Sequence, residues 1–401
     1  MNLVNVIPKT AVAFYAPLKS PLHPTPSGDR KIARLFIAAL EQGGFHVDLA
    51  SQLRTFDKTG DSHRQQRLIA LAEKEAVRVM RRWQKQGFRP QAWFCYHLYY
   101  KAPDLLGPII CKALDIPYIV AEASWAEKRA NGPWAIYHRQ VASALEIASK
   151  VISINPKDKV ALTDFYADQP PIRYSRLISL NAFIDDLPTN INHVIGSDSM
   201  LATSAFSRDD IARKYGLNTK LPWLITIAMM RVGDKHHSYQ QLSRVVDKSE
   251  QPYQLLIIGD GVMKTDVHTI FSPHKQVKFA GALDNQQIRQ LLPHFDLLVW
   301  PAINEALGMI FLEAQQSNVA VVAGDEGGVG SIVKHQVTGI LVDTYDPEEM
   351  SVTIDALLAN PAQLKQMKQA AAHYVIQHHS IAASAIQLND VIQDAISNKV
   401  V

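Results

Sequence analysis

The sequence predicts an α/β chain built as two doubly wound parallel-sheet domains. Three observations predict it. Short apolar runs of strand length alternate with helical patterns along nearly the whole chain. The alternation lapses once, over residues 187–207, where Pro, Asn, Ser and Thr replace long apolar runs. The length, 401 residues, exceeds what one core usually holds. Strands alternating with helices imply a parallel sheet covered on both faces. Two such domains with facing strand ends leave a cleft suited to two substrates, one held by each half.

In chain order, Thr10 to Phe14 reads as the first strand. A proline-rich loop follows (Pro17, Pro21, Pro24, Pro26) and closes at Ser27-Gly28-Asp29. Loops of that length are uncommon without a role. The next helix, Asp29 to Gln42, has apolar positions Ile32, Leu35, Phe36 and Leu40 near helical spacing, and Gly43-Gly44 stops it. Phe45 to Leu49 is a strand, and His63 to Gln86 a long helix. Further strands fall at Ala92–Tyr96, Tyr118–Ala121, Val151–Ile154 and Leu177–Leu180. After the break come Trp223–Ala228, Tyr253–Ile258, Val277–Phe279, Leu297–Trp300, Ala320–Val322 and Ile340–Val342. Pro347 to Ser397 reads as almost wholly helical.

Composition excludes several classes. Hydrophobic residues make up 47% and charged residues 20%, an ordinary globular balance that argues against disorder. A net charge of +3 is too mild to imply a nucleic-acid partner. No apolar run approaches the roughly 20 residues that span a bilayer. Met1 to Tyr15 carries one Lys and no small-residue cleavage site, so it reads as the way into the first strand and not as a signal peptide. Two cysteines, Cys95 and Cys111, offer no disulfide framework, and a cytoplasmic location is expected. Both fall in core-forming patterns and read as inert fillers.

Chemistry concentrates near Glu305 and Glu313, eight positions apart. The run Phe295 to Trp300 reads as a buried strand, Pro301 ends it, and a helix starts near Leu307 or Gly308. Glu305 then occupies the turn leaving the sheet edge, where ligands of open α/β sheets bind. Glu313 lies a little over one turn into the helix. The amides of Gly308, Met309 and Ile310 would face that edge at a positive helix terminus, which suits a phosphate. Acceptor-only carboxylates beside an anion site suggest a ligand with hydroxyls as well as phosphate, and a nucleotide sugar fits. Arg231 and Lys235 follow the Trp223–Ala228 strand and should emerge at the same edge, where two cations would neutralise a diphosphate. Close Arg and Lys residues are by default solvated charges, and the Glu305 turn favours the functional reading. Ile257-Ile258-Gly259-Asp260-Gly261 runs a strand into a glycine turn, read as a wall of the donor site, although glycines end strands everywhere.

In the first half, Ser27-Gly28-Asp29-Arg30 opens a helix whose free amides could meet a phosphate or sugar, or Ser27 or Asp29 could be a plain cap. His97 follows its strand at the carboxyl end and could hydrogen-bond a sugar hydroxyl, or it could merely pack among Tyr96, Tyr99 and Tyr100. Arg78, Arg81, Arg82, Lys85 and Arg89 cluster around Trp83. That is either an anionic-membrane contact or a solvated face. His236-His237 cannot chelate together because adjacent helical residues face different ways, and no metal motif supports a site. No Gly-x-Ser-x-Gly elbow supports a catalytic triad.

Taken together, these residues resemble glycosyltransferase family 4, retaining enzymes of GT-B architecture. The resemblance is strongest from Thr226 to Asp343. Glu305 and Glu313 match the family's spaced glutamates, and Arg231 and Lys235 its phosphate pair. Ile258-Gly259-Asp260-Gly261 and Phe279-Ala280-Gly281 match its glycine turns. Gly324-Asp325-Glu326-Gly327-Gly328-Val329 and Gly339-Ile340-Leu341-Val342 match the downstream pattern. Met230 stands where the family usually has Gly, and Ser27-Gly28 where it more often has a Gly pair.

The resemblance implies two Rossmann-like domains: residues 1–186 binding the acceptor and 208–375 binding the nucleotide sugar. Residues 187–207 would link them, and helix 376–401 would pack back on the first domain. It implies that Glu313 binds the ribose, Glu305 contacts the donor sugar, and Leu307, Gly308 and Met309 hold sugar and phosphate through their amides. Arg231 and Lys235 would hold the diphosphate, flanked by Gly259, Gly261 and Gly281. Ser27, Gly28 and His97 would serve from the first domain. The expected reaction is metal-independent transfer of a sugar from a UDP- or GDP-type donor, with no cofactor, to a carbohydrate or lipid-linked acceptor, in surface polysaccharide or glycolipid synthesis. The location expected is cytoplasmic, including the inner membrane face. Rival readings are a nucleotide-sugar epimerase, a phosphorylase, or a non-catalytic nucleotide-sugar-binding protein.

Overall fold

The computed structural model describes residues 10–25, 27–167, 176–185 and 207–398. The chain forms two compact units. Unit 1 comprises Met1–Asn181 together with Ile381–Val401, and unit 2 comprises Ala182–Ser380. The linker expected at 187–207 lies outside the described residues except for Ser207. That residue caps a helix, accepting from Asp210 N while the Asp210 side chain accepts from Ser207 N.

Unit 1 alternates strand and helix: β1 (Ala11–Tyr15), α1 (Gly28–Gln42), β2 (His46–Leu49), α2 (Ser62–Gln86), β3 (Ala92–Leu98), α3 (Gly107–Leu114), β4 (Tyr118–Ala123), α4 (Ala135–Ile147), β5 (Lys150–Ser153), α5 (Pro156–Ala167) and β6 (Leu177–Ser179). Its six strands are parallel in the order β2-β1-β3-β4-β5-β6. The central strands are buried almost throughout, as a sheet covered on both faces requires. Helix α1 turns Ala33, Leu35, Phe36, Ala39 and Leu40 inward, so of the expected apolar positions Leu35, Phe36 and Leu40 are buried while Ile32 is half-buried. Left-handed Gly87 ends α2. Buried Asp104 caps α3, accepting from Leu106 N at 2.9 Å, Gly107 N at 2.8 Å and Trp93 Nε1 at 2.8 Å. Strand β3 runs on to Leu98, which is buried and paired with Ala123, so His97 lies inside the strand and does not follow it.

Unit 2 repeats the plan: α6 (Arg208–Tyr215), β7 (Trp223–Ile227), α7 (Asp234–Lys248), β8 (Gln254–Ile258), α8 (Lys264–Phe271), β9 (Val277–Gly281), α9 (Asn285–Leu291), β10 (Leu297–Trp300), α10 (Met309–Gln316), β11 (Ala320–Gly324), β12 (Gly339–Val342), α11 (Pro347–Ala359) and α12 (Pro361–His378). Its order is β12-β11-β10-β7-β8-β9, again parallel. All four residues of β10 are buried. Each large apolar side chain so buried contributes roughly 1.5–3 kcal/mol.

The helical tail is three helices. Asn360 caps α12 by accepting from Gln363 N, and Pro361 occupies the first turn, where its missing N–H costs nothing. Helix α12 ends at His378, and α13 (Ile381–Ser397) packs on α1 in unit 1. The tail therefore changes units after Ser380, where the sequence reading placed a boundary at 375. The buried His379 is the physical reason. Its Nδ1 lies 2.6 Å from Ala182 O, and Ile184 N donates to its carbonyl at 2.9 Å. Asp185 is tied to the same unit by Arg289 at 2.5 Å and by Gln316 Nε2 at 2.9 Å.

Candidate functional site

In unit 2, β8 and β9 extend to one side of β7 while β10, β11 and β12 extend to the other. Loops leaving β7 and β10 therefore diverge at their carboxyl ends and open a crevice for a ligand. Lys235, in the first turn of α7, and Glu305, in the β10–α10 turn, come together there as an ion pair. They are 70 positions apart in the chain. Both are largely buried, with 23% and 16% of their side chains exposed. The ammonium also stands 5.4 Å from the centre of the Trp300 ring.

The turn carrying Glu305 is strained. Ala302 (φ 60°), Asn304 (φ 50°) and Gly308 (φ 71°) all adopt left-handed backbone. Non-glycine residues hold that conformation only where the surroundings enforce it. Here Ile303 N donates to Ser238 Oγ at 3.1 Å and Asn304 N to Glu326 Oε2 at 2.9 Å. Asn304 Nδ2 reaches Asp234 Oδ2 at 2.9 Å, and Gly328 N donates to Glu305 O at 3.2 Å.

Helix α10 begins at Met309, one or two residues later than expected, because left-handed Gly308 is its N-cap. No side chain caps it, so its first amides face outward at the positive end of the helix dipole. Leu307 and Gly308 lie before this terminus and contribute no helical amide. Glu313 is half-buried one turn into α10. Arg231 is exposed, and its guanidinium makes no ion pair or hydrogen bond among the described residues. The structure thus joins Lys235 to Glu305, and Arg231 bonds to neither.

The glycines serve the protein's own packing. A Cβ on Gly259 would meet Ala228 O at 2.0 Å, and one on Gly261 would meet Met230 O at 2.2 Å. These two glycines let the β7 and β8 turns touch, with Met230 N donating to Asp260 O at 3.0 Å. Gly281 has φ 72° and open space around it, and its carbonyl accepts from Gly259 N at 3.0 Å.

Unit 1 has its own divergence between β1 and β3, and its candidate residues lie there. Ser27 caps α1, accepting from Arg30 N at 3.3 Å, and so performs the plain capping role. A Cβ on Gly28 would meet nothing within 4 Å. Asp29 Oδ1 lies 3.1 Å from His97 Nδ1. That hydrogen bond holds the Asp29 carboxyl below its usual range. His97 has φ 65°, and Glu122, flanked by the same ladder pairs on β4, has φ 58°. Burial pushes the Glu122 carboxyl up, opposed by Ile154 N, which donates to it at 3.0 Å. The His97 ring also packs on Tyr96 and Tyr99, with centroids 5.7 and 4.9 Å apart.

Sequence reasoning missed Asp29 as a partner, and missed Glu122, Trp300 and Asn304. Glu122 carried a signal: it is the one acid within the apolar run Tyr118 to Ala123. The basic cluster is corrected at its centre. Trp83 is 2% exposed and donates to Asp48 at 2.8 Å, so it is a core residue and not a surface aromatic. Arg82 pairs with Asp48 and Arg78 with Glu75, while Arg81, Lys85 and Arg89 are exposed. Cys95 and Cys111 are buried free thiols whose burial raises their pKa. Among the described residues no group of three His, Cys, Asp or Glu is placed to hold a metal, and no helix is long and apolar enough to cross a membrane.

Comparison with known proteins gives a consistent pattern. Residues 207–374 match the family described as glycosyl transferases group 1. The chain is 23% identical over 190 residues to alpha-D-kanosaminyltransferase of Streptomyces kanamyceticus, covering 47% of this chain and 49% of that one. It is 33% identical over 101 residues to D-inositol 3-phosphate glycosyltransferase of Thermobispora bispora, covering 25% and 23%. The chain spans about half the length, or less, of these curated relatives. A glycosyltransferase structure from Rickettsia africae superposes with TM-score 0.69 at 14% identity, covering 97% and 99% of the two chains. Anabaena HepE in complex with UDP superposes with TM-score 0.65 at 14% identity, covering 96% and 100%. The two parallel six-stranded sheets with their flanking helices are the GT-B fold.

Proposed function

We propose that the chain is a retaining glycosyltransferase of family 4 type, moving a sugar from a nucleotide diphosphate donor to an acceptor hydroxyl. One observation carries the reading. An ion-paired lysine and glutamate, far apart in sequence, meet at the point where the unit 2 sheet reverses, beside the uncapped start of α10. The relatives are sugar-transferring enzymes by name, and one neighbour binds UDP.

Unit 2 holds the donor and unit 1 the acceptor. The diphosphate meets the Lys235 ammonium, which Glu305 and the Trp300 ring already hold in position. The outward amides of α10 take a phosphate, and Arg231 closes on it from solvent. As the bond from the anomeric carbon to the leaving oxygen breaks, negative charge gathers on the diphosphate. The two cations and the helix dipole stabilise it there. The departing phosphate oxygen takes the acceptor's proton, and the acceptor oxygen bonds the anomeric carbon from the same face, so configuration is kept. Glu305 positions the sugar, and Glu313 grips the ribose hydroxyls. The acceptor is a carbohydrate or lipid-linked carbohydrate, met on the cytoplasmic side, with Arg81, Lys85 and Arg89 of α2 and its following turn offered to an anionic bilayer.

A panel of UDP- and GDP-sugars in a thermal-shift screen, followed by transfer assays, tests this reading. Lys235→Ala and Glu305→Ala are expected to lower kcat by at least about 100-fold with the fold intact. Activity is expected to survive EDTA. Near-normal turnover in either variant overturns the assignment.

A further inference from the structure

Two loops leave the carboxyl edge of the unit 1 sheet side by side. One follows β3 and carries Tyr99, Tyr100 and Lys101; the other follows β4 and carries Arg129 and Trp134. The Tyr100 and Trp134 rings meet edge to face at 5.6 Å. Both cations lie against this one ring pair. The Lys101 ammonium is 5.7 Å from the Tyr100 centroid and 5.3 Å from that of Trp134. The Arg129 guanidinium is 5.1 and 5.2 Å from the same two centroids. Neither cation has an ion-paired carboxylate among the described residues.

An ordinary basic surface does not account for this. Arg129 Nε and Trp134 Nε1 are both shut off from solvent and have no hydrogen-bond acceptor. Those two atoms are closed to any ligand, but Lys101 Nζ and the terminal nitrogens of Arg129 also have no acceptor among the described residues and are not shut off from solvent, so they are open to an acceptor supplied from outside. The frame behind them is fixed. Gln65 Nε2 donates to Pro133 O at 3.0 Å and to Asp57 Oδ2 at 2.8 Å, and Asp57 N donates to Lys101 O at 2.8 Å. Gly60 lets Pro133 close in, since a Cβ there would lie 2.3 Å from Pro133 Cβ. One buried glutamine thus joins the backbone that presents Trp134 to the segment that holds Lys101. Tyr99, packed between His97 at 4.9 Å and, edge to face, Tyr100 at 5.7 Å, continues the aromatic surface to the Asp29–His97 pair.

We propose that Lys101, Arg129 and the Tyr100–Trp134 ring pair form an anion-binding site that takes the phosphate of a phosphorylated sugar. The guanidinium and ammonium neutralise the phosphate, and the terminal N–H groups of Arg129 and Lys101 donate to its oxygens. The exposed edges of the rings pack on the sugar. The anion site stands on this geometry alone. Naming its occupant as the acceptor rests on the glycosyltransferase reading.

Titration of the full chain with glucose 6-phosphate, glucose and inorganic phosphate, followed by tryptophan fluorescence and calorimetry, tests it. Glucose 6-phosphate is expected to bind and glucose not. Arg129→Ala and Lys101→Ala are each expected to weaken binding at least about 10-fold, the loss typical of one charge-assisted partner. Trp134→Ala, which removes the ring both cations lie against, is expected to weaken it several-fold. Vesicles with and without phosphatidylglycerol separate the sources: capture by the anionic vesicles alone, lost in Arg129→Ala, assigns the phosphate to a lipid headgroup. Equal affinities in wild type and both cation variants, or no binding of any phosphate-bearing probe, overturns the site. UDP affinity, measured alongside, is expected to be unchanged in all three variants. If wild type binds glucose 6-phosphate but not UDP, the donor reading fails and the anion site stands.

Discussion

Asp29 and Glu122 flank one imidazole and are pushed in opposite directions. The His97 hydrogen bond lowers Asp29, whose contribution to stability is present above its unfolded pKa and lost as pH falls through the folded value. Burial raises Glu122, whose contribution is present below its unfolded pKa and lost as pH rises through the folded value. Carboxyls whose environments separate them in this way often divide acid and base roles. Glu122→Gln keeps an acceptor for Ile154 N and removes the buried charge. It is therefore expected to be less sensitive than wild type to a rise from pH 5 to pH 8, read as the shift in urea midpoint at the two pH values. An equal shift in both proteins contradicts the burial argument. Little of this was legible in the sequence. Ser27 and Asp29 looked like interchangeable caps, and only the neighbouring strand shows that one caps while the other reaches the histidine.

The β10–α10 turn was legible in outline and opaque in detail. Four apolar residues ended by Pro301 announce the strand, and Gly308 announces an unusual backbone. Nothing local announces left-handed Ala302 and Asn304. Their conformation is imposed by Ser238, Asp234 and Glu326, which the fold brings from elsewhere. Gly308 is the weak point of the element. An alanine there keeps φ 71° at a cost of about 1–2 kcal/mol and drives its Cβ to 2.5 Å from the Phe311 ring. Gly308→Ala is expected to lower unit 2 stability by about 1–3 kcal/mol and to weaken UDP binding, both read from thermal shift with and without nucleotide. Unchanged melting and affinity rule out this account of the turn. The same backbone demand explains why α10 starts later than its apolar text suggests.

At the scale of the whole molecule, the two sheets were legible because buried parallel strands are written as continuous apolar runs between helical ones. The return of the chain to unit 1 was not written locally. Pro347 to Ser397 reads as one helical stretch, and the change of unit after Ser380 is marked only by a histidine that could have been a surface residue. Helix α13 buries Ile381, Ala385, Leu388, Ile392 and Ala395, and Asn389 Nδ2 donates to Gly43 O at 2.7 Å. Lys150 pairs with Asp394. Several such side chains, at roughly 1.5–3 kcal/mol each, rival the net stability of a domain. A chain ending at Ser380 is expected to lose the unit 1 transition in calorimetry while keeping UDP binding in unit 2. Retention of both transitions contradicts it. The same helix sets a timetable for the nascent polypeptide. Its last turns leave the ribosome only after all of unit 2 has been made, an interval on the order of tens of seconds. Throughout that wait the α1 surface is bare, so in the cell the first half to be translated is the last to become complete, and it is the half with the longer need of a chaperone.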